Sequence, residues 1–234
     1  MRRLIAQASF VGVLCFAPLT PALARECQGR SDVPAVNLLR PPPCETCAET
    51  KAEMDELASL ERERTPEQEK QVAIDVKRSV DRFLEGAGIA YAAEKLRPCE
   101  RFFTMPRQEE KAAVEAAKDT FCRTRPFRTP GNSLHPVQEA RPDESFSYPS
   151  GHAAYGAAIG FLLVEMLPEK RAEIYRRINE YARARMIAGV HFRSDVEAGK
   201  LMGAAVVASL FAKPDFRPAF DEAKTCVRKA VGLE

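Results

Sequence analysis

This 234-residue sequence lacks the residue pattern of β-strands, and it lacks an excess of charge of either sign. No segment has the sustained alternation of apolar and polar residues that predicts a half-buried strand, and no internal repeat is found. Lysine and arginine total 35 against 33 aspartate and glutamate residues, so the formal net charge is only +2. That balance argues against a nucleic-acid or membrane-surface partner. We therefore expect an all-α domain in which any cluster of cations is local.

Long uninterrupted apolar runs are also missing from the body of the chain. The two most apolar segments lie near 150–167 and 195–212, where Glu165 and Lys200 interrupt them. Neither reaches the run of about 18 uncharged apolar residues that a membrane span requires. Both are rich in alanine and glycine, which let helix axes approach closely. They predict buried core helices and no stable membrane insertion.

The N-terminus has the form of a secretory signal peptide. Two arginines follow the initiating methionine, a mostly apolar stretch covers 4–19, and 22–24 reads Ala-Leu-Ala, a small-x-small cleavage site. Removal of 1–24 takes two of the 35 basic residues and no acidic ones, and leaves a single domain over 25–234. We therefore expect a periplasmic or secreted protein; a short buried N-terminal helix is the alternative.

The spacing of the seven cysteines does not indicate a metal site. Six of the seven cysteines follow the signal segment, an even number that predicts up to three disulfides in an exported chain. Cys44 and Cys47 form the one C-x-x-C motif of the sequence. No second pair or suitably spaced histidine pair accompanies it, so we expect no metal and no cofactor. A redox role is the other interpretation, although the βαβ context of redox motifs is missing.

Helical periodicity organises most of the domain. A Pro-rich segment predicts an extended arm over 25–50. A first amphipathic helix follows near 54–60, and Thr65 with Gln68 forms the capping box of a second, whose apolar stripe at 72–83 predicts one continuous helix. The remaining helices are expected near 106–124, 150–167, 169–188, 195–212 and 217–231.

Two rows of residues at helical spacing combine apolar side chains with cations. Lys118 and Arg125 flank one apolar pair, and Arg185 continues an apolar row. A cation that faces inward needs an anionic partner, because an unpaired buried charge is costly. The alternatives are a solvated basic face, to which Arg123 and Arg128 would also belong, and an internal salt bridge. The sharper interpretation is a bound oxyanion, which suits the guanidinium fork.

The segment from Pro149 to His152 reads Pro-Ser-Gly-His and precedes a helical run. Ser150 is a good N-cap, and Gly151 lets the backbone come close to a ligand. The N–H groups and dipole of the first turn favour an anion, with His152 beside it. An ordinary capped helix with a surface histidine is the alternative.

A second histidine has a carboxylate four residues further along the chain. Asp195 is close enough in sequence to accept the ring N–H of His191, which fixes the tautomer and leaves the other nitrogen as a nucleophile. Alternatively, Ser194 is the N-cap of a capping box with Glu197, and Asp195 is only a first-turn charge. The third histidine, His135, lies in an irregular loop, and we interpret it as incidental.

These three pieces, in this order, resemble the three-part signature of the type 2 phosphatidic acid phosphatase superfamily. They read Lys118-x6-Arg125-Pro126, Pro149-Ser150-Gly151-His152 and Arg185-x5-His191-x3-Asp195. The exported single-domain format is most similar to the bacterial class A non-specific acid phosphatases. The resemblance implies a compact helical bundle of the acid phosphatase and haloperoxidase type. It also implies hydrolysis of small phosphomonoesters through a phosphohistidine, without metal.

The resemblance further implies a role for each matched residue. His191 is the expected nucleophile, Asp195 its orienting carboxylate, and His152 the acid for the leaving group. The expected phosphate-binding residues are Lys118, Arg125, Ser150, Gly151 and Arg185.

The chain departs from the family pattern beside this site. Ala184, Phe146 and Ala153 stand where the pattern usually has serine, glycine and threonine, and these departures leave the charged groups intact. The alternative functions are a lipid phosphate phosphatase, a vanadium-dependent haloperoxidase and a non-catalytic oxyanion-binding protein. The oligomeric state, including a homo-oligomer, stays open.

Overall fold

The computed structural model describes residues 33–141 and 145–234. The expected signal peptide and the first part of the Pro-rich arm lie outside those residues. Within them the regular structure is helical and contains no strand, which confirms the all-α prediction. None of the helices in this part of the chain combines the length and the apolar character needed to cross a bilayer.

The described residues form ten α-helices joined by short connections and 3₁₀ turns. The five helices expected from about residue 106 onward are all present, and both ends of each lie within three residues of the expected bounds. The helices are α1 (Ala35–Leu38), α2 (Ala48–Glu63), α3 (Pro66–Asp75), α4 (Val80–Ala87), α5 (Ala93–Leu96), α6 (Thr104–Phe121), α7 (Gly151–Met166), α8 (Arg171–Ile187), α9 (Arg193–Phe211) and α10 (Phe216–Ala230).

Helix α7 is the centre of the bundle and packs against α6, α8 and α9. Its closest neighbour is α9, because two glycines of that helix lie against the α7 backbone. A Cβ atom on Gly199 would lie 2.4 Å from the carbonyl oxygen of Ser150, and one on Gly203 would lie 2.3 Å from that of Ala154. The small residues in both helices therefore fix the close approach that the sequence predicts, and they bring the starts of α7 and α9 together.

The single helix expected across 72–83 is two helices, so that prediction is wrong. The Thr65 capping box is present, but α3 ends at Asp75. The Tyr181 hydroxyl donates to the carbonyl oxygen of Asp75 at 3.0 Å, and the Val76 carbonyl oxygen lies 3.1 Å from Nε2 of His152. These tertiary contacts occupy carbonyls that a continuing helix would use. The break places residues 76–79 over the start of α7.

The arm predicted over 25–50 is only partly extended. Residues 35–38 form the short helix α1, and α2 begins at Ala48, inside the predicted arm. Leu39 is buried, and the Tyr148 hydroxyl donates to the carbonyl oxygen of Arg40 at 2.6 Å. The described part of the arm is therefore packed against the segment that precedes α7.

One disulfide is present in the described residues, between Cys99 and Cys226. It joins the 3₁₀ segment before α6 to α10. Cys44, Cys47 and Cys122 are free thiols, so the described part of the chain has one of the three disulfides that the sequence allows. No group of three histidine, cysteine or acidic side chains in that part is arranged to hold a metal ion.

Candidate active site

The second motif forms the N-terminus of α7, as its sequence predicts. The Ser150 hydroxyl accepts a hydrogen bond from the backbone N–H of Ala153 at 3.4 Å, and Gly151 is the first helical residue. The backbone N–H of Ser150 donates to the carbonyl oxygen of Asp195 at 2.9 Å. This bond joins the starts of α7 and α9, so the second and third motifs share one surface.

His191 lies between α8 and α9 and is almost completely buried. Its Nδ1 atom is 3.4 Å from Oδ2 of Asp195, a long contact that orients the ring, and its Nε2 atom faces Nη1 of Arg125 at 3.0 Å. Oδ2 of Asp195 also accepts the backbone N–H of Phe192 at 2.8 Å and the hydroxyl of Ser147. The carboxylate therefore faces one ring nitrogen, and the other faces the cations.

The Ser194 capping box, which was the alternative interpretation of this segment, is absent, and Asp195 itself caps the start of α9. The helix begins at Arg193, and Asp195 receives the Phe192 N–H. The Ser194 hydroxyl instead accepts from Nη1 of Arg123 at 2.6 Å. Asp195 is held in place by these backbone and side-chain donors, which a first-turn surface charge would not have.

Arg123 is the main functional residue that the sequence patterns did not single out. It is buried, and its guanidinium donates to Oδ1 of Asp195 at 2.7 Å and to Oε2 of Glu53 at 2.8 Å. Its central carbon lies 3.9 Å from the centre of the Phe192 ring. Glu53 also accepts the backbone N–H of Ser194 at 2.6 Å. Arg123 joins α2 to α9 behind the His191–Asp195 pair. It therefore does not belong to a solvated basic face.

The three predicted cations are bound to neutral oxygen atoms. Nζ of Lys118 donates to the hydroxyl of Ser145 at 2.7 Å. Arg125 donates to the carbonyl oxygens of Ser145 and Val190, both at 2.8 Å. Arg185 donates to the carbonyl oxygen of Ala140 at 3.1 Å, while its Nε and Nη1 atoms are buried without a hydrogen-bond partner in the described residues. None of the three forms a salt bridge with a carboxylate of that part of the chain.

Burial and mutual repulsion lower the pKa of each cation. The pKa of Lys118 falls to about 8, mainly through desolvation and then through Arg125. The pKa of Arg125 falls to about 10 through desolvation and the charge of Arg185, and that of Arg185 falls to about 10 through desolvation. A bound anion would offset this lowering, because a nearby negative charge favours the protonated, positive form of each group. The cluster therefore has the electrostatics of an oxyanion site.

His152 is partly buried at the start of α7 and stacks on the Tyr181 ring, with 6.2 Å between ring centres. Its Nε2 atom is engaged by the Val76 carbonyl oxygen. Burial lowers its pKa well below 6.5, and the charge of Arg185 lowers it further. The pKa of His191 is lowered for similar reasons, by burial and then by Arg125 and Lys118. Both rings are therefore neutral at neutral pH in this arrangement.

A cavity of about 670 Å³ opens beside Lys118 and Arg125, and its lining does not include His152, Arg185 or His191. Lys118, Arg123 and Arg125 line it, and Phe146 is 40% exposed at its edge. Phe146 is one of the departures from the family pattern, and its aromatic side chain borders the opening beside Ser145. The other two departures, Ala153 and Ala184, are buried in helix packing.

Replacing Arg123 with alanine should destabilise the fold strongly. The change leaves Asp195 and Glu53 as buried carboxylates without a counter-charge, a loss of about 3–5 kcal/mol in the free energy of unfolding. Burial raises the pKa of the Asp195 carboxyl and Arg123 opposes that shift, so the variant should lose stability as pH rises and recover part of it at acidic pH. Urea unfolding at several pH values measures this. The matched change Arg82→Ala removes an exposed arginine of α4 and should have little effect; equal effects of the two changes would contradict the assignment.

Comparison with protein families agrees with the signature. The family model described as the PAP2 superfamily matches residues 110–218. The matched segment contains all eight predicted site residues and Arg123, whereas Glu53 precedes it.

Two curated relatives are named non-specific acid phosphatase. The protein of Salmonella typhimurium is 41% identical over 106 residues, which are 45% of this chain and 42% of that protein. The protein of Providencia stuartii is 34% identical over 113 residues, which are 48% of this chain and 46% of that protein. The chain thus spans less than half the length of these relatives.

A solved structure has a similar fold. The crystal structure of the first transmembrane PAP2 type phosphatidylglycerolphosphate phosphatase from Bacillus subtilis superposes with a TM-score of 0.51 at 22% identity, over 71% of this chain and 86% of that one. This likeness concerns the fold alone. The family model and the three motifs agree in assigning PAP2 superfamily character to residues 110–218 of this all-α chain.

Proposed function

We propose that this chain is an acid phosphatase that hydrolyses small phosphomonoesters through a phosphohistidine at His191. One observation carries the proposal: two buried arginines, Arg125 and Arg185, and the partly buried Lys118 have no carboxylate partner in the described residues and lie near His191. Nδ1 of that histidine faces the carboxylate of Asp195. The names of the curated relatives support the reaction class.

The cations would bind the non-bridging oxygens of the phosphoryl group. Arg185 has two unused buried nitrogen atoms, and Arg125 holds Nη1 next to the ring nitrogen that would attack. A phosphate oxygen would replace that ring nitrogen as the partner of Arg125. The first-turn N–H groups of α7 would add donors, as helix N-termini do for phosphate. Charge stabilisation of this kind supplies most of the catalysis in phosphoryl transfer.

In the first step, Nε2 of His191 would attack phosphorus in line with the ester oxygen. A P–N bond forms and the P–O bond to the leaving group breaks. The Nδ1–H group of His191 would stay hydrogen-bonded to Asp195, whose negative charge stabilises the positive ring. His152 would give a proton to the leaving oxygen; its Nε2 atom faces the Val76 carbonyl, so Nδ1 is the nitrogen that the described hydrogen bonds leave for this transfer.

In the second step, a water molecule would attack the phosphohistidine. His152, now neutral, would take a proton from that water as the P–N bond breaks. Inorganic phosphate and neutral His191 result, and the proton balance of the site is restored.

Substitution of His191 tests the nucleophile. His191→Ala should lower kcat by at least about 10³-fold, the scale seen when a nucleophile is removed, and should abolish acid-labile labelling by a ³²P-substrate in a rapid quench. Turnover of the wild type should persist in excess chelator. The control is His135→Ala, which alters an exposed loop histidine paired with Glu61. Label recovered on another residue of the His191 variant would refute the assignment.

The role of His152 predicts a pH dependence and a leaving-group dependence. His152 must start protonated, and its pKa is lowered in the site, so turnover of an alkyl phosphate should be fastest in acid and fall as pH rises. Bound phosphate adds negative charge and raises that pKa in the complex. His152→Ala should slow an alkyl phosphate more than p-nitrophenyl phosphate, whose leaving group needs no proton. A wild-type rate that still rises at pH 9 would contradict this role.

The proposal includes export to the periplasm or the medium. The signal-like segment before residue 25 motivates it, and the disulfide between Cys99 and Cys226 is of the kind found in oxidising compartments. N-terminal sequencing of the exported protein tests the cleavage site.

A further inference from the structure

Arg78 lies in the break between α3 and α4, outside the three motifs and before the matched domain. This break covers the start of α7, because the Val76 carbonyl oxygen contacts His152. A Cβ atom on Gly151 would lie 3.0 Å from Nη2 of Arg78. The guanidinium is therefore packed against the backbone that would receive the phosphate.

The donors of this guanidinium are largely unused. Its one polar contact in the described residues is with Oε2 of Glu110 at 3.7 Å, too long for a hydrogen bond. Glu110 is completely buried, and neither of its carboxylate oxygens has a hydrogen-bond partner in that part of the chain. Burial raises the pKa of the Glu110 carboxyl to about 7, so in acid this group is mostly neutral and Arg78 keeps its charge for another partner. The side chain of Arg78 remains 25% exposed.

Arg78 lies beside His152, the proposed proton donor to the leaving group. It follows by two residues Val76, whose carbonyl oxygen contacts the His152 ring, and its guanidinium lies against Gly151, the residue before His152. Its charge lowers the pKa of His152, as it does the pKa of Lys118 and of Arg185. In an in-line displacement the leaving group departs opposite the nucleophile, next to its proton donor. A group attached to the leaving oxygen would therefore meet Arg78.

We propose that Arg78 is a specificity residue that binds an anionic group on the leaving alcohol. The preferred substrates are phosphomonoesters that carry a carboxylate or a second phosphate close to the ester oxygen, since a guanidinium pairs with either through charge-assisted hydrogen bonds. This inference rests on the proposed phosphatase activity and adds a substrate class to it.

The test compares phosphoglycolate with ethyl phosphate, which are similar in size and differ in the carboxylate. The measured quantity is the ratio of kcat/KM for phosphoglycolate to kcat/KM for ethyl phosphate. Arg78→Ala should lower this ratio about tenfold, the scale of one charge-assisted contact. The ratio cancels the effect that loss of a charge near His152 has on both substrates. Arg78→Lys should give an intermediate ratio, because it keeps the charge and loses the fork.

Arg82→Ala is the matched control, because it removes the same charge from an exposed residue four positions away. Its ratio should equal that of the wild type, which excludes an effect of net charge. Equal losses on both substrates in Arg78→Ala, or an unchanged ratio, would overturn the inference and leave the proposed function intact. A wild type that hydrolyses neither substrate would overturn the proposed function, and the inference with it.

Discussion

The ion pair between Arg123 and Asp195 is the contact on which the geometry of the site depends. Asp195 faces His191, accepts a hydrogen bond from the Ser147 hydroxyl and caps α9. Its carboxylate therefore fixes the positions of the His191 ring, the segment before α7 and the start of α9. Burial raises the pKa of the Asp195 carboxyl and so disfavours its charged form. The positive charge of Arg123 opposes that shift and keeps the carboxylate ionised. Glu53 completes the network from α2. The Pro-rich arm and first helices thus support the back of the site.

In front of that network, the protein concentrates positive charge that it does not neutralise with carboxylates of its described residues. Burial lowers the pKa of Lys118 and of Arg185, and the charge of Arg125 lowers that of Lys118 further. Two nitrogen atoms of Arg185 have no hydrogen-bond partner in the described residues. Such an arrangement costs folding free energy in the absence of an anion, and binding of the anion recovers it. Buried cations are normally paired with carboxylates, and the proposed phosphate site explains why these are not.

Patterns within single elements predict the five helices from α6 to α10. Helix-period spacing places Arg185 on an inward face, and the Ser150 cap marks the start of α7, because both depend on neighbours within one element. Arg123 could not be found in this way, since its partners Glu53 and Asp195 lie 70 and 72 residues away. The break after Asp75 was missed for the same reason: Tyr181 and His152 compete for its carbonyls across the fold. Contacts between distant segments leave no periodic signal.

The central claim is that the buried cations form a site for the phosphate oxyanion. Calorimetric titration with inorganic phosphate at acidic pH tests it most directly, with Arg185→Gln beside the wild type and Arg82→Ala as the control. The account predicts one phosphate bound per wild-type chain and by Arg82→Ala, and an affinity at least about tenfold weaker for Arg185→Gln, the value of a lost charge-assisted contact. Equal affinity for the folded Arg185→Gln variant, or no phosphate binding by the wild type, would contradict it.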